Sequence, residues 1–262
     1  MFPFIEIADR AIPTYGLMAA AGIICGLLFV YFKSIFLKKN NSSIDPENAV
    51  FIYIFGVVGA GVGAKVLYLL LNLKSLAEAI RTTGFINAVT TYLEGGMVFY
   101  GGLFGSIIAA FITARYLKEN IRNYYPSLVP GIAILAMFGR IGCFLAGCCY
   151  GKETDNFGVI FPLNSLAPSG VKLIPVQLYE ALFELLAIIV LNIISARKPS
   201  VNPKLLKGYL ISYALLRFCL EFFRGDLERG GFGPLSVSQW ISLMLIVFLL
   251  VRRFFLPRSK SN

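Results

Sequence analysis

Residues 11–32 run 22 positions without a charge. At 1.5 Å per residue, a helix of that length crosses the roughly 30 Å of hydrocarbon in a bilayer. Lipid offers no partner to a free N–H or C=O, so such a run must satisfy its backbone internally, as a helix does. The pattern recurs at 48–73, 95–113, 127 to about 147, 176–195, 208–223 and 235–251, which makes seven spans. Apolar residues form 57% of the chain and charged residues 15%, against about 25% charge in soluble domains. The expected fold is therefore all-α and polytopic. No polar linker is long enough to divide it, so residues 1–262 read as one transmembrane domain. Arg10 precedes a span that continues directly into a lysine-rich loop, and no cleavable signal peptide is read there.

The formal charge of +10 raises nucleic acid as a partner, but charge placement gives a simpler account. With the N-terminus outside, the segments between spans place 14 lysines and arginines inside and 7 outside, and Lys65, Arg140 and Arg217 fall within spans. This two-fold excess is the positive-inside bias. It favours an N-out, C-in chain and removes nucleic acid from consideration. The outside segments 74–94 and 152–175 are mixed in character and punctuated by Gly and Pro, as expected of short surface helices or a lid over an outward-facing site. Gly59 and Gly63 on the second span, and Gly101 and Gly105 on the third, have the small-xxx-small spacing of closely packed helices.

Ionisable groups inside spans are costly and face a partner or a wet cavity. Arg140 lies in a run of four glycines and three cysteines, from Gly139 to Gly151. On the sixth span Tyr213, Arg217, Glu221 and Arg224 fall on one helical stripe; on the fifth, Gln177, Glu180 and Glu184 form another. Counting rise per residue, Arg140 lies roughly 20 Å from the cytoplasmic end of its span, and Arg217 and Glu221 roughly 15–20 Å from theirs. Tyr15 and Tyr100 lie roughly 5–10 Å from the outer ends of their spans. All fall in the outer half of the bilayer, which points to a single site. Paired guanidinium groups bind phosphate oxygens in a planar fork, so the set suits a phosphodiester headgroup. The structural alternative is an internal Arg217–Glu221 pair with Arg140 held by Glu180 or Glu184. Lys65 divides evenly between a snorkelling structural lysine and a functional one.

The chain has no histidine, which removes the commonest general base. Cys143, Cys148 and Cys149 supply three potential metal ligands without a fourth, and their spacing matches no common site. A disulfide at the outer surface and small apolar helix residues are the other readings of these three. Cys25 and Cys219 read as apolar filler.

Taken together, Tyr15-Gly16-Leu17, Tyr100-Gly101-Gly102-Leu103, Gly139-Arg140-x-Gly142-x-Phe144 through Gly151, Gln177-Leu178-Tyr179-Glu180 and Tyr213-x3-Arg217-x3-Glu221-Phe222-Phe223-Arg224 resemble the motifs of the bacterial prolipoprotein diacylglyceryl transferases, in order and over nearly the whole chain. The chain departs from that family's pattern at Tyr100, where the family has His, at Cys143 and Ala146, where it has Asn, and at Cys148, where it has Glu. The resemblance implies transfer of a diacylglyceryl group from phosphatidylglycerol to the cysteine thiol of a lipoprotein precursor, presented by a signal peptide with a lipobox. It implies an enzyme of the bacterial plasma membrane, surrounded by membrane lipids, with its site toward the outer leaflet and no metal or organic cofactor. Tyr15, Tyr100, Arg217 and Glu221 would be catalytic, with Glu221 orienting Arg217 and Tyr100 or a carboxylate helping to deprotonate the thiol. Arg140, Arg217, Gly142, Gly151, Glu180 and Tyr213 would bind substrate. Two rivals stand beside this expectation. One is a transferase using the same donor on another acceptor, motivated by the Cys and Ala replacements. The other is a lipid-binding or transport protein without chemistry, although a transporter would more often show an internal two-fold repeat.

Overall fold

The computed structural model describes residues 3–7, 10–39, 44–94, 96, 98–197, 204–225 and 231–255. Most of them are helical. Among the described residues four helices are long and apolar enough to cross a membrane: α1 (Thr14–Lys38), α2 (Pro46–Leu71), α6 (Ile121–Ala146) and α7 (Val176–Arg197). The remaining helices are α3 (Leu73–Thr83), α4 (Phe85–Glu94), α5 (Phe99–Tyr116), α8 (Leu205–Leu220) and α9 (Val237–Phe255). The chain divides into two compact units, 27–128 and 1–26 with 129–262.

The unit 27–128 is organised by α2 and α5. Asp45 caps α2: its side chain accepts from the backbone N–H of Glu47 at 3.3 Å, and Pro46 takes the first helical position, where no N–H is needed. The predicted glycine pairs meet face to face. A Cβ at Gly63 would sit 2.9 Å from the Gly105 Cα and closer still to the Gly101 carbonyl oxygen, so only glycine permits this approach. Val30, Ile52, Tyr53, Ala114 and Tyr124 are among the buried residues of this unit's core. The segment 74–94 folds as the expected short helices. Lys74, Glu78 and Arg81 of α3 are exposed, while Leu76, Ala79 and Ile80 are half-buried on the other side, as an interfacial helix requires. Lys65 Nζ donates to the carbonyls of Tyr92 (3.4 Å) and Gly96 (3.1 Å) beside the end of α4. Residue 95, where the third span was expected to begin, lies outside the described residues, and α5 starts at Phe99.

In the other unit the chain opens with a hairpin, β1 (Phe4–Ile7) against β2 (Arg10–Pro13), with Ile5 opposite Ile12. Residues 11–13, expected to begin the first span, are extended. Pro13 disfavours helix at the residue before it, and the helix starts at Thr14, whose hydroxyl donates to the Pro3 carbonyl at 3.0 Å. The loop after α6 carries β3 (Val159–Ile160) paired with β4 (Lys172–Leu173) over a small core of Phe161, Ala167 and Leu173. A short hairpin, β5 (Gly231–Phe232) and β6 (Leu235–Ser236), leads into α9. There Ser236 and Gln239 cap the helix reciprocally: the Gln239 N–H donates to the Ser236 hydroxyl (3.2 Å) and the Ser236 N–H to the Gln239 side chain (3.0 Å).

Candidate active site

The site grows from one buried carboxylate. Glu180 sits one turn into α7 and is 1% exposed. A carboxylate at that depth requires positive partners, and three guanidinium groups supply them. Arg140 of α6 forms an ion pair through its Nε with Oε2 of Glu180. Arg217 of α8 donates from Nη1 to Oε1 at 2.9 Å. Arg224, just past α8, places Nη1 3.9 Å from the same Oε1. Arg217 also lies 2.7 Å from Glu221 Oε2 through its Nη2, and that nitrogen donates to the Ser238 hydroxyl at 3.4 Å. Arg140 Nη2 donates to the Tyr213 hydroxyl at 3.4 Å. Three guanidinium groups thus converge on one buried carboxylate. Their clustered N–H donors are the kind of group that binds an anionic ligand.

The sequence-predicted residues Arg140, Glu180, Tyr213, Arg217 and Glu221 thus come together. Glu180 was expected at the substrate; the structure gives both of its oxygens to arginines. Glu184, one turn on, instead accepts a hydrogen bond from the Tyr209 hydroxyl at 2.9 Å. Tyr15 is 47% exposed and packs against Gly142, where an added Cβ would meet the Tyr15 ring at 3.2 Å and Met18 at 3.1 Å. Gly142 therefore sets how closely α1 approaches α6. Gly151 has the same kind of role: a Cβ there would meet the Ile174 carbonyl oxygen at 2.5 Å. The Gly151 N–H donates to that carbonyl at 2.9 Å. Tyr100 is the second residue of α5, in the other unit, and its side chain lies outside the described residues.

Helical spacing puts Arg224 on the stripe of Arg217 and Glu221 but does not by itself place it beside Glu180. The helix ends at Leu220, a 3₁₀ turn covers Glu221–Phe223, and Arg224 is extended. It returns to the site because its strand pairs with Gly151: Lys152 N–H donates to the Phe223 carbonyl (2.8 Å) and Gly225 N–H to that of Tyr150 (3.1 Å). The fact that Arg224 continued the stripe of Arg217 and Glu221 was the available signal. Gln177, one turn before Glu180, was also overlooked as a positioning residue. Its Nε2 donates to the Cys148 carbonyl at 2.7 Å.

The three cysteines converge where α6 ends. Gly147 takes the left-handed conformation (φ +76°), its N–H donates to the Phe144 carbonyl (3.3 Å) and the Cys148 N–H to that of Cys143 (3.0 Å). This is the Schellman closure, which favours glycine at that position. It folds Cys148 and Cys149 back onto Cys143, and none of the three is in a disulfide. The Cys149 thiol, beyond the helix, is held well below the ordinary thiol range by hydrogen bonds from the Cys143 and Cys148 thiols and then by Arg224.

The family model for prolipoprotein diacylglyceryl transferase matches residues 3–254. A Clostridium perfringens protein named phosphatidylglycerol–prolipoprotein diacylglyceryl transferase 2 is 34% identical over 244 residues, covering 92% of this chain and 90% of its own. Proteins named phosphatidylglycerol–prolipoprotein diacylglyceryl transferase from Clostridium tetani (34% identical, 92% of each chain) and Rickettsia felis (32% identical, 92% of this chain and 91% of its own) are similar to it as well. The order of the motifs, the arginine cluster they build and a match of this length lead to one assignment: the chain belongs to the prolipoprotein diacylglyceryl transferase family.

Proposed function

We propose that this protein is a phosphatidylglycerol–prolipoprotein diacylglyceryl transferase of the bacterial inner membrane. It moves the diacylglyceryl group of phosphatidylglycerol onto the lipobox cysteine of a lipoprotein precursor and releases glycerol phosphate. The observation that carries the reading is the convergence of Arg140, Arg217 and Arg224 on Glu180, with Glu221 against Arg217. A phosphodiester offers oxygens that match such guanidinium donors. As the bond from glycerol carbon to phosphate oxygen breaks, charge builds on that oxygen, and guanidinium groups already fixed in place stabilise it without rearrangement. Glu180 and Glu221 are the groups that hold them fixed. The exposed Tyr15 and Tyr213, which accepts from Arg140, are the phenols positioned to line the headgroup.

The finer topology is part of the same proposal: seven spans, the N-terminus outside, and a site opening toward the outer leaflet. The two-fold lysine and arginine bias supports it. The match over 3–254 supports treating 1–262 as a single transmembrane domain. The test is an assay of membranes containing this protein with phosphatidylglycerol and a lipobox peptide, read by mass spectrometry. The expected product is the peptide with one diacylglyceryl group on its cysteine. An unmodified peptide alongside intact, inserted protein would overturn the reading. Modification of a peptide whose cysteine is replaced by serine would point to another acceptor chemistry.

A further inference from the structure

Filler cysteines have no reason to converge, yet the sulfur atoms of Cys143, Cys148 and Cys149 all lie within 4.8 Å of one another. Three sulfurs bound to one zinc ion at about 2.3 Å lie about 3.8–4.0 Å apart, so little movement separates the two arrangements. The backbone is committed to this geometry. Cys149 has φ +61°, uncommon for a residue with a side chain, and Gln177 holds the Cys148 carbonyl at 2.7 Å. Cys143 is buried while Cys148 and Cys149 are half-buried, which leaves one side of the cluster open. Three thiolates and a divalent ion would sum to one negative charge, and Arg224, which contacts Cys149, carries the opposite one. Cys143 lies one turn after Arg140 on α6, so the cluster adjoins the arginines. Three protein ligands with an open fourth position is the pattern of a catalytic rather than a structural zinc site.

We propose that Cys143, Cys148 and Cys149 bind one thiophilic divalent cation, of which zinc is the best match, and that its open position takes the thiol of the acceptor cysteine. This rests on the transferase reading and deepens it. In a chain without histidine, the metal does what a general base would do, because coordination turns a thiol into a thiolate. The acceptor thiol binds and its proton passes to water. The bound sulfur then attacks the glycerol carbon attached to phosphate. A C–S bond forms, the C–O bond breaks, and its electron pair leaves on the phosphate oxygen held by the arginines. The thioether product is a poor ligand and dissociates. Nothing is oxidised or reduced.

The experiment uses the reduced full-length protein in lipid nanodiscs, with cobalt(II) as the spectroscopic stand-in for zinc. Cobalt is expected to give a thiolate charge-transfer band that Cys143→Ser, Cys148→Ser and Cys149→Ser each weaken and that a Cys25→Ser/Cys219→Ser double variant keeps. A lipobox peptide should shift the band, and its serine analogue should not. In the unsubstituted protein, cobalt or zinc should protect the three cysteines, and not Cys25 or Cys219, from alkylation. This reading holds even if a serine variant misfolds. Chelation should lower transfer about tenfold, and zinc should restore it, because only a few per cent of a free thiol is thiolate near pH 7. Absence of the band, its persistence in all three single variants, or a disulfide among the three would overturn the metal site. Full transfer by chelated protein would overturn the activation role and leave the transferase reading intact. Absence of transfer from metal-loaded protein would instead fail the transferase reading, while the band and its peptide shift still judged the site.

Discussion

Arg140 makes two different contacts from one planar group: Nε on Glu180 and Nη2 on the Tyr213 hydroxyl. A lysine there keeps the charge but has neither the plane nor the fork. Arg140→Lys should insert normally yet lose transfer about a hundredfold, as removal of one fixed donor to a developing oxyanion does elsewhere. Near-normal turnover in that variant would take Arg140 out of the phosphate site. Glu221 has a different task, because its contact is with Arg217 at 2.7 Å. Glu221→Gln retains the shape and one acceptor while removing a charge-assisted bond, a loss of about 1.5–3 kcal/mol. Turnover should therefore fall at least tenfold while phospholipid binding persists; loss of binding here but not in Arg217→Ala would reverse the two roles. The acceptor already supplies a thiol, so the enzyme's own cysteines need form no covalent intermediate. Mass spectrometry of protein incubated with donor lipid alone should find Cys143, Cys148 and Cys149 without a lipid adduct. An adduct would mean a two-step transfer.

At the level of elements, the contact of α2 with α5 has no slack at Gly63, whereas Gly61 has nothing within 4 Å. Gly63→Val should lower the melting temperature in detergent, with a cost of about 1–3 kcal/mol for the overpacked contact. Gly61→Val, the same change on the open side, should leave it nearly unchanged. Equal effects would show that helix propensity rather than packing was being measured. These elements also show what a sequence discloses. The apolar runs located the long helices, the glycine spacing located the seam of α2 with α5, and mixed composition marked 74–94 as short surface helices or a lid. Helical stripes grouped Arg217 with Glu221 and Gln177 with Glu180, because spacing on a helix fixes which side chains share a face, and similar depth along the spans joined Arg140 to Arg217 and Glu221. Boundaries were less legible where Pro13 and the paired strands 4–7 and 10–13 overrode hydrophobicity. Arg224 reaches Glu180 through backbone pairing with Gly151, a contact between positions far apart in the chain, and no local periodicity encodes that. The convergence of the cysteines likewise depends on the left-handed turn at Gly147.

For the whole molecule, the proposed N-out, C-in arrangement predicts where an attached reporter will be active. A phosphatase that works only outside the cytoplasm should be active when fused in the 152–175 loop and inactive when fused at 117–120; the opposite result would invert the chain. Glu180 also has a consequence during synthesis. Helices enter the membrane in chain order, and α6 brings Arg140 before α7 brings its partner. A lone guanidinium within a span opposes insertion, and α6 carries that cost until Glu180 arrives. The two helices are thus coupled as a biosynthetic pair, and α8 then adds Arg217 to a carboxylate already embedded. Until residue 180 is in place, α6 holds a charge that its own helix cannot neutralise.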